Sequence, residues 1–159
     1  ALDILAEQGF KYDSSIFPVK HDNYGIPGAN YEPGFLSCPS GGRIAELPMS
    51  TLGLGHIRVP VGGGGYFRLY PYWLTSMLLR RMNKAERGFV FYCHPWELDV
   101  DQPRIDGASL FSRFRHYNNL HRFEKRLSRL IDEFPVDTCG NVLRAAGLLQ
   151  RPSNADDGG

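Results

Sequence analysis

Two rhythms organise the apolar positions of the chain. Leu120, Phe123, Leu127, Leu130 and Phe134 recur at spacings of 3, 4, 3 and 4, which predicts an amphipathic helix. Arg122, Lys125, Arg126 and Arg129 fall among its exposed residues, and Pro135 ends it. Trp73, Leu74, Met77, Leu78 and Met82 predict the apolar face of a second helix. Pro71 opens that helix, and Arg80, Arg81 and Lys84 lie near its end, where cations are favourable. Leu2, Leu5 and Ala6 read as a short helix end closed by Gly9. The other rhythm is an unbroken run, Phe89-Val90-Phe91-Tyr92-Cys93, between Gly88 and the cluster His94-Pro95-Trp96-Glu97-Leu98-Asp99. Strand-forming residues without polar alternation predict a strand buried on both faces. Pro95 has no N–H to donate to a ladder, so the strand stops at or just before His94.

Shorter strands are expected at 10–12, 44–47, 56–59 and 136–138, the middle two pairing as a hairpin, and a short helix at 141–146. Residues 16–43 are punctuated by Pro and Gly, lose all periodicity and read as a long loop. Val61-Gly62-Gly63-Gly64-Gly65-Tyr66-Phe67-Arg68 carries neither GxxxxGK[ST] nor a dinucleotide spacing. It reads as a permissive turn, with Tyr66 and Arg68 placed to line a polar cleft. The element order points to an α/β protein with a substantially parallel sheet or an open barrel. One domain is expected over 1–150, followed by a disordered polar tail at 151–159.

Composition narrows this only slightly. The 159 residues are 42% hydrophobic, 22% charged and 13% aromatic, with a net charge of +1. Near-neutral charge argues against nucleic acid as partner, even with the basic and aromatic mixture at 112–118. No apolar run approaches a membrane span. Cys38, Cys93 and Cys139 are widely spaced and odd in number. They favour free thiols and tilt the localisation to the cytoplasm over the periplasm. His21, His56, His94, His116 and His121 show no HxH or HExxH spacing, so no independent metal site is expected.

His94 is the chemical focus. In α/β folds ligands bind beyond the carboxyl ends of strands, which is where a histidine following residues 88–93 would sit. The bland alternative is a satisfied histidine at a strand end.

Six stretches occur together in one order: Gly9-Phe10-Lys11-Tyr12-Asp13-Ser14-Ser15-Ile16-Phe17-Pro18; His21-Asp22-Asn23-Tyr24-Gly25-Ile26-Pro27-Gly28; Gly63-Gly64-Gly65-Tyr66-Phe67-Arg68-Leu69; Phe91-Tyr92-Cys93-His94-Pro95-Trp96-Glu97-Leu98-Asp99; Gln102-Pro103-Arg104; and Arg113-Phe114-Arg115-His116-Tyr117. Over about residues 2–148 the series resembles the C-terminal portion of the polysaccharide deacetylase family (NodB-like), in the subgroup associated with exopolysaccharide loci and PEP-CTERM/exosortase systems. The resemblance implies part of a distorted (β/α) barrel, incomplete in this chain. It also implies metal-assisted hydrolysis of N-acetyl groups on the amino sugars of a polysaccharide or oligosaccharide. Under it, His94 is the general acid that protonates the leaving amine. Asp13 supports the catalytic groups, and Trp96 walls the acetyl or sugar pocket. Tyr66, Arg68, Glu97 and Arg115 make substrate contacts or supporting hydrogen bonds. The family's Thr-Phe-Asp-Asp, His-Ser-x-x-His and Arg-x-Pro type motifs are missing from this sequence. The divalent metal, zinc in most of the family, its ligands and the general base are therefore expected in a longer parent. The isolated fragment is expected to bind no metal and to be inactive. The competing reading is a non-catalytic carbohydrate-binding protein with Tyr66, Trp73, Trp96 and Tyr117 as stacking platforms.

Overall fold

The computed structural model describes residues 2–19, 25–39, 41–55 and 57–150. Helix α1, Leu2–Glu7, closes as its sequence predicts. Gly9 takes a φ of +82°, and the Gly9 and Phe10 amides donate to Ala6 and Leu5 carbonyls at 3.0 Å. Strands β1 (Tyr12–Asp13), β2 (Gly34–Ser37) and β3 (Arg43–Glu46) form a three-stranded sheet in the order β1-β3-β2. In it β1 runs parallel and β2 antiparallel to β3. Strands β4 (Thr51–Leu54) and β5 (Ile57–Pro60) form a separate antiparallel pair. Helices α2 (Gly64–Leu69), α3 (Tyr72–Lys84), α4 (Leu110–Tyr117), α5 (Phe123–Glu133) and α6 (Cys139–Ala145) follow. Short 3₁₀ turns stand at Pro95–Glu97 and Leu120–Arg122. The protein is thus mixed α/β, and the described residues form no closed barrel. The expected tail at 151–159 and the first four residues of the 21–28 motif lie outside the described residues.

Several expectations are corrected. The 16–43 loop contains β2, because Gly41 (φ +89°) lets the chain reverse, with the Cys38 amide on the Gly42 carbonyl at 2.8 Å. The expected hairpin between 44–47 and 56–59 does not form. Residues 43–46 pair with β1 and β2 instead, and 57–60 pair with 51–54, a stretch read as connector. Gly55 at φ +63° permits that tight reversal. Residues 136–138 form no strand; Thr138 instead caps α6 by accepting from the Asn141 amide. The glycine tract enters α2 rather than remaining a turn.

Helix α3 is rotated from its expected face. Tyr72, Thr75, Leu78, Leu79 and Met82 are buried, while Trp73 and Met77 are 66% and 51% exposed. Helix α5 and the turn before it meet expectation on the apolar side, where Leu120, Phe123, Leu130 and Phe134 are all buried. Arg126, expected among the exposed residues, is instead half-buried and donates to the Phe67, Arg68 and Tyr70 carbonyls at 2.9, 3.3 and 3.2 Å. Phe67, 1% exposed, is at the centre of the larger core. It meets Phe91, Phe123 and Tyr72 edge-on, with ring centroids 4.9, 5.7 and 6.1 Å away.

The 88–93 run is extended but is not a ladder strand. Its one bridge joins Gly63 to Tyr92 in parallel. The expected burial on both faces is only partial: Phe89, Phe91 and Cys93 pack half-buried against the larger core, and Val90 packs half-buried against a smaller one built on Ala45, Leu47 and Leu143. The run forms no ladder because a glycine turn, not a strand, lies along it. The Tyr92 amide donates to Gly62, and the Tyr92 carbonyl accepts from Gly64, at 2.9 and 3.0 Å. The Val90 amide goes to the Ser50 hydroxyl at 2.6 Å.

Candidate functional site

The glycine tract and the end of the apolar run build the site together. A Cβ on Gly62 would overlap the Val90 carbonyl, one on Gly63 the Tyr92 phenol, and one on Gly64 the Glu97 carboxylate. Three glycines in succession therefore admit three successive parts of the 90–97 segment. Gly65 faces open space and carries no such requirement.

Glu97 is the pivot. It is 1% exposed, on the 3₁₀ turn that Pro95 opens. Its Oε2 accepts from the His94 amide at 2.9 Å, and its Oε1 accepts from Arg68 Nε at 2.8 Å. Arg68, on α2 and 2% exposed, also donates to the end of α4. One terminal nitrogen reaches the His116 and Asn118 carbonyls at 2.8 and 3.0 Å. Such a buried, hydrogen-bonded pair couples three segments that are distant in sequence. Of the two roles expected of Arg68 and Glu97, their burial leaves the supporting hydrogen bonds and removes direct substrate contact.

On this base stands an aromatic array. The His94 ring, exposed to solvent, lies nearly parallel to Trp96 (12°, 6.0 Å) and edge-on to Tyr92 (78°, 6.1 Å). Trp96 stacks on His116 at 4.2 Å and 13°. The guanidinium carbon of Arg68 lies 5.1 Å from the Trp96 ring centroid. Gln102 locks His116: its amide nitrogen donates to the Trp96 and Asp99 carbonyls, at 2.9 and 2.8 Å. Its oxygen therefore faces His116 Nε2, 2.7 Å away, and that nitrogen carries the proton. Tyr117 meets His116 edge-on, accepts from the Ile105 amide and donates to the Pro103 carbonyl. Burial and then the Glu97 charge push the Cys93 thiol beside this array up from its ordinary value, which disfavours the thiolate.

The other residues expected here divide. Tyr66 is half-buried and tilts against Tyr70, 5.9 Å away. Arg115 lies exposed on α4 over Phe111 at 5.7 Å. Asp13 stands on the β1–β3 pairing. Its carboxylate accepts from the Ser15 hydroxyl, and it pairs in register with Glu46.

Sequence reasoning missed Glu46, which is 2% exposed. Its Oε1 accepts from the Ile16 amide at 2.9 Å, while its Oε2 is buried without a hydrogen-bond partner among the described residues. Burial first, then repulsion by Asp13, holds the Glu46 carboxyl above its usual range. Its signal was a carboxylate inside the apolar run Ile44-Ala45-Glu46-Leu47. His116 and Gln102 were also missed as site members; only their helical and loop context hid their convergence on Trp96.

Fold and site thus define an α/β domain whose buried Arg–Glu pair props an exposed imidazole–indole surface. Residues 14–144 match the family described as "Domain of unknown function (DUF3473)", and the chain belongs to that family. Comparison with curated proteins and with solved structures finds no match.

Proposed function

We propose that this chain carries the proton-donor side of a metal-dependent polysaccharide N-deacetylase acting on N-acetyl amino sugars. The observation that supports it best is His94, an exposed imidazole with a fixed backbone beside an indole wall. Amide hydrolysis needs a proton for the departing nitrogen, because an amine anion is a very poor leaving group. Imidazole titrates near neutrality and suits that task. In this reading Trp96 packs against the acetyl or sugar face, and Glu97 and Arg68 hold His94 in place. Asp13, with Glu46, shapes a neighbouring part of the domain.

The described residues do not fit a resident metal. No group of three His, Cys, Asp or Glu among them could hold one. In this reading the metal ligands and general base come from outside the described residues. Replacing His94 by Ala in the full-length protein tests the role, with acetate release and oligosaccharide binding measured in parallel. Lost turnover with retained binding is expected; unchanged turnover would refute the acid role. A second reading, carbohydrate binding without catalysis, draws on the Trp96–His116–Tyr117 surface and the exposed Trp73. It predicts that His94→Ala changes only binding.

No helix among the described residues is long and apolar enough to cross a membrane. The three cysteines are free thiols.

A further inference from the structure

On a face that shares no lining residue with the His94 site, α3 and α5 enclose an open groove of about 800 Å³. Trp73 lines one end of it, 66% exposed, with Met77 one turn on at 51%. Arg80, Arg81 and Lys84 continue along the same side, and Arg129 faces them from α5. From position 73 to position 84 the helix spans roughly 16 Å.

The charges are unevenly spent. Glu133 is the one carboxylate lining the groove. It is held by Arg80 at 2.9 Å and Tyr72 Oη at 2.7 Å, and by the Ser76 hydroxyl, with Arg129 at 3.9 Å. Arg81 and Lys84 are exposed and carry no ion pair among the described residues. The groove thus presents surplus positive charge along its length and a bare indole at its end. The α3 dipole accounts for cations in the last turn, but not for a tryptophan left in water at the first.

We infer that this groove binds an acidic polysaccharide, a chain of pyranose rings bearing carboxylates. Repeated negative charge along a chain complements Arg81, Lys84 and the uncommitted share of Arg80 and Arg129. The apolar face of a sugar ring fits a flat, exposed indole. A concave groove of this length suits a chain better than the flat surface of a bilayer, and Asp and Glu side chains, unlike a uronate ring, offer no ring face to Trp73 alongside their charge. The inference is independent of the chemistry proposed for His94.

Binding of oligogalacturonate to the full-length protein tests it by calorimetry, against a neutral oligosaccharide of equal length, poly-glutamate and vesicles containing anionic lipid. Oligogalacturonate should bind with an affinity that falls as salt rises, and the neutral chain should not. Arg81→Glu with Lys84→Glu should weaken binding by about tenfold or more, the effect of roughly 1.4 kcal/mol. Trp73→Ala should weaken it by about three- to tenfold, the range for loss of one aromatic stacking contact. All three side chains are exposed, so an unchanged melting temperature certifies the fold of each variant. Absence of oligogalacturonate binding would overturn the inference. So would poly-glutamate or vesicle binding of equal strength that ignores Trp73→Ala.

Discussion

Arg68 and Glu97 bury opposite charges at 3% and 1% side-chain exposure, 2.8 Å apart. Removing one partner strands the other, so Arg68→Ala or Glu97→Ala should cost about 3–5 kcal/mol. The paired change Arg68→Met with Glu97→Leu should cost clearly less than the sum of the single changes, and urea unfolding of all four proteins reads this out. The glycines make an equally sharp contrast. Gly64→Ala drives a methyl into the Glu97 carboxylate and should destabilise the protein strongly. Gly65→Ala meets nothing within 4 Å in a helix and should be neutral or stabilising by about 0.4–1 kcal/mol.

Glu46 makes a pH-dependent contribution at the same scale. Its folded pKa lies above the ordinary 4.5, so the folded state holds the proton more tightly than the unfolded chain. That contribution is complete below 4.5 and is lost as pH rises through the folded value. Glu46→Gln keeps the shape and removes the titration. Its unfolding midpoint should therefore lose this decline between acid and neutral pH. Glu133 acts in the opposite sense. Burial raises its pKa, but hydrogen bonds from Ser76, Tyr72 and Arg80 outweigh that and hold it below 4.5. Its contribution is present above 4.5 and is lost as pH falls through the folded value.

Among the elements, α3 shows how a pattern can be read one step out of phase. Tyr72, Trp73, Leu74, Met77, Leu78 and Leu79 offer two overlapping apolar stripes, and periodicity alone cannot choose between them. Packing of α3 against Phe67 and α5 chooses the stripe that includes Tyr72, Leu79 and Met82. Leu79→Ala, at 0% exposure, should therefore cost about 2–5 kcal/mol. Met77→Ala should stay within about 0.5 kcal/mol, as surface changes do. Thermal melts of the two variants decide it. Helix α5 was legible because its stripe is single and its far side is charged. The two-residue β1 and the β2 hairpin were hard to delimit, since turns with Gly at positive φ carry no periodicity. The 88–93 run faces a core on each side, as read, but is half-buried rather than buried and forms no ladder. Which sides are apolar is written in the residues themselves, whereas pairing and depth of burial depend on what lies alongside.

Over the whole molecule, the site is assembled from α2, the 90–97 segment, the 99–105 loop and the end of α4. His94, Trp96, Glu97 and Arg68 could be named from sequence because they fall in two short, chemically dense stretches. Their division of labour could not, because burial separates the propping Arg68 and Glu97 from the exposed His94. Asp13 was named from its motif; on the sheet it accepts from Ser15 and pairs in register with Glu46. Gln102 and His116 belong to the site only because the chain folds back over Trp96.

The central claim is that His94 gives a proton to the departing nitrogen, and leaving-group dependence tests it most directly. Full-length protein and its His94→Ala variant would be compared on an N-acetyl amino-sugar oligomer and on an aryl acetate ester, whose phenolate leaves without protonation. The prediction is a loss of about 10²–10⁴-fold in amide hydrolysis, the usual span for general acid catalysis, with ester hydrolysis largely retained. Equal losses on both substrates, or no loss on the amide, would contradict it.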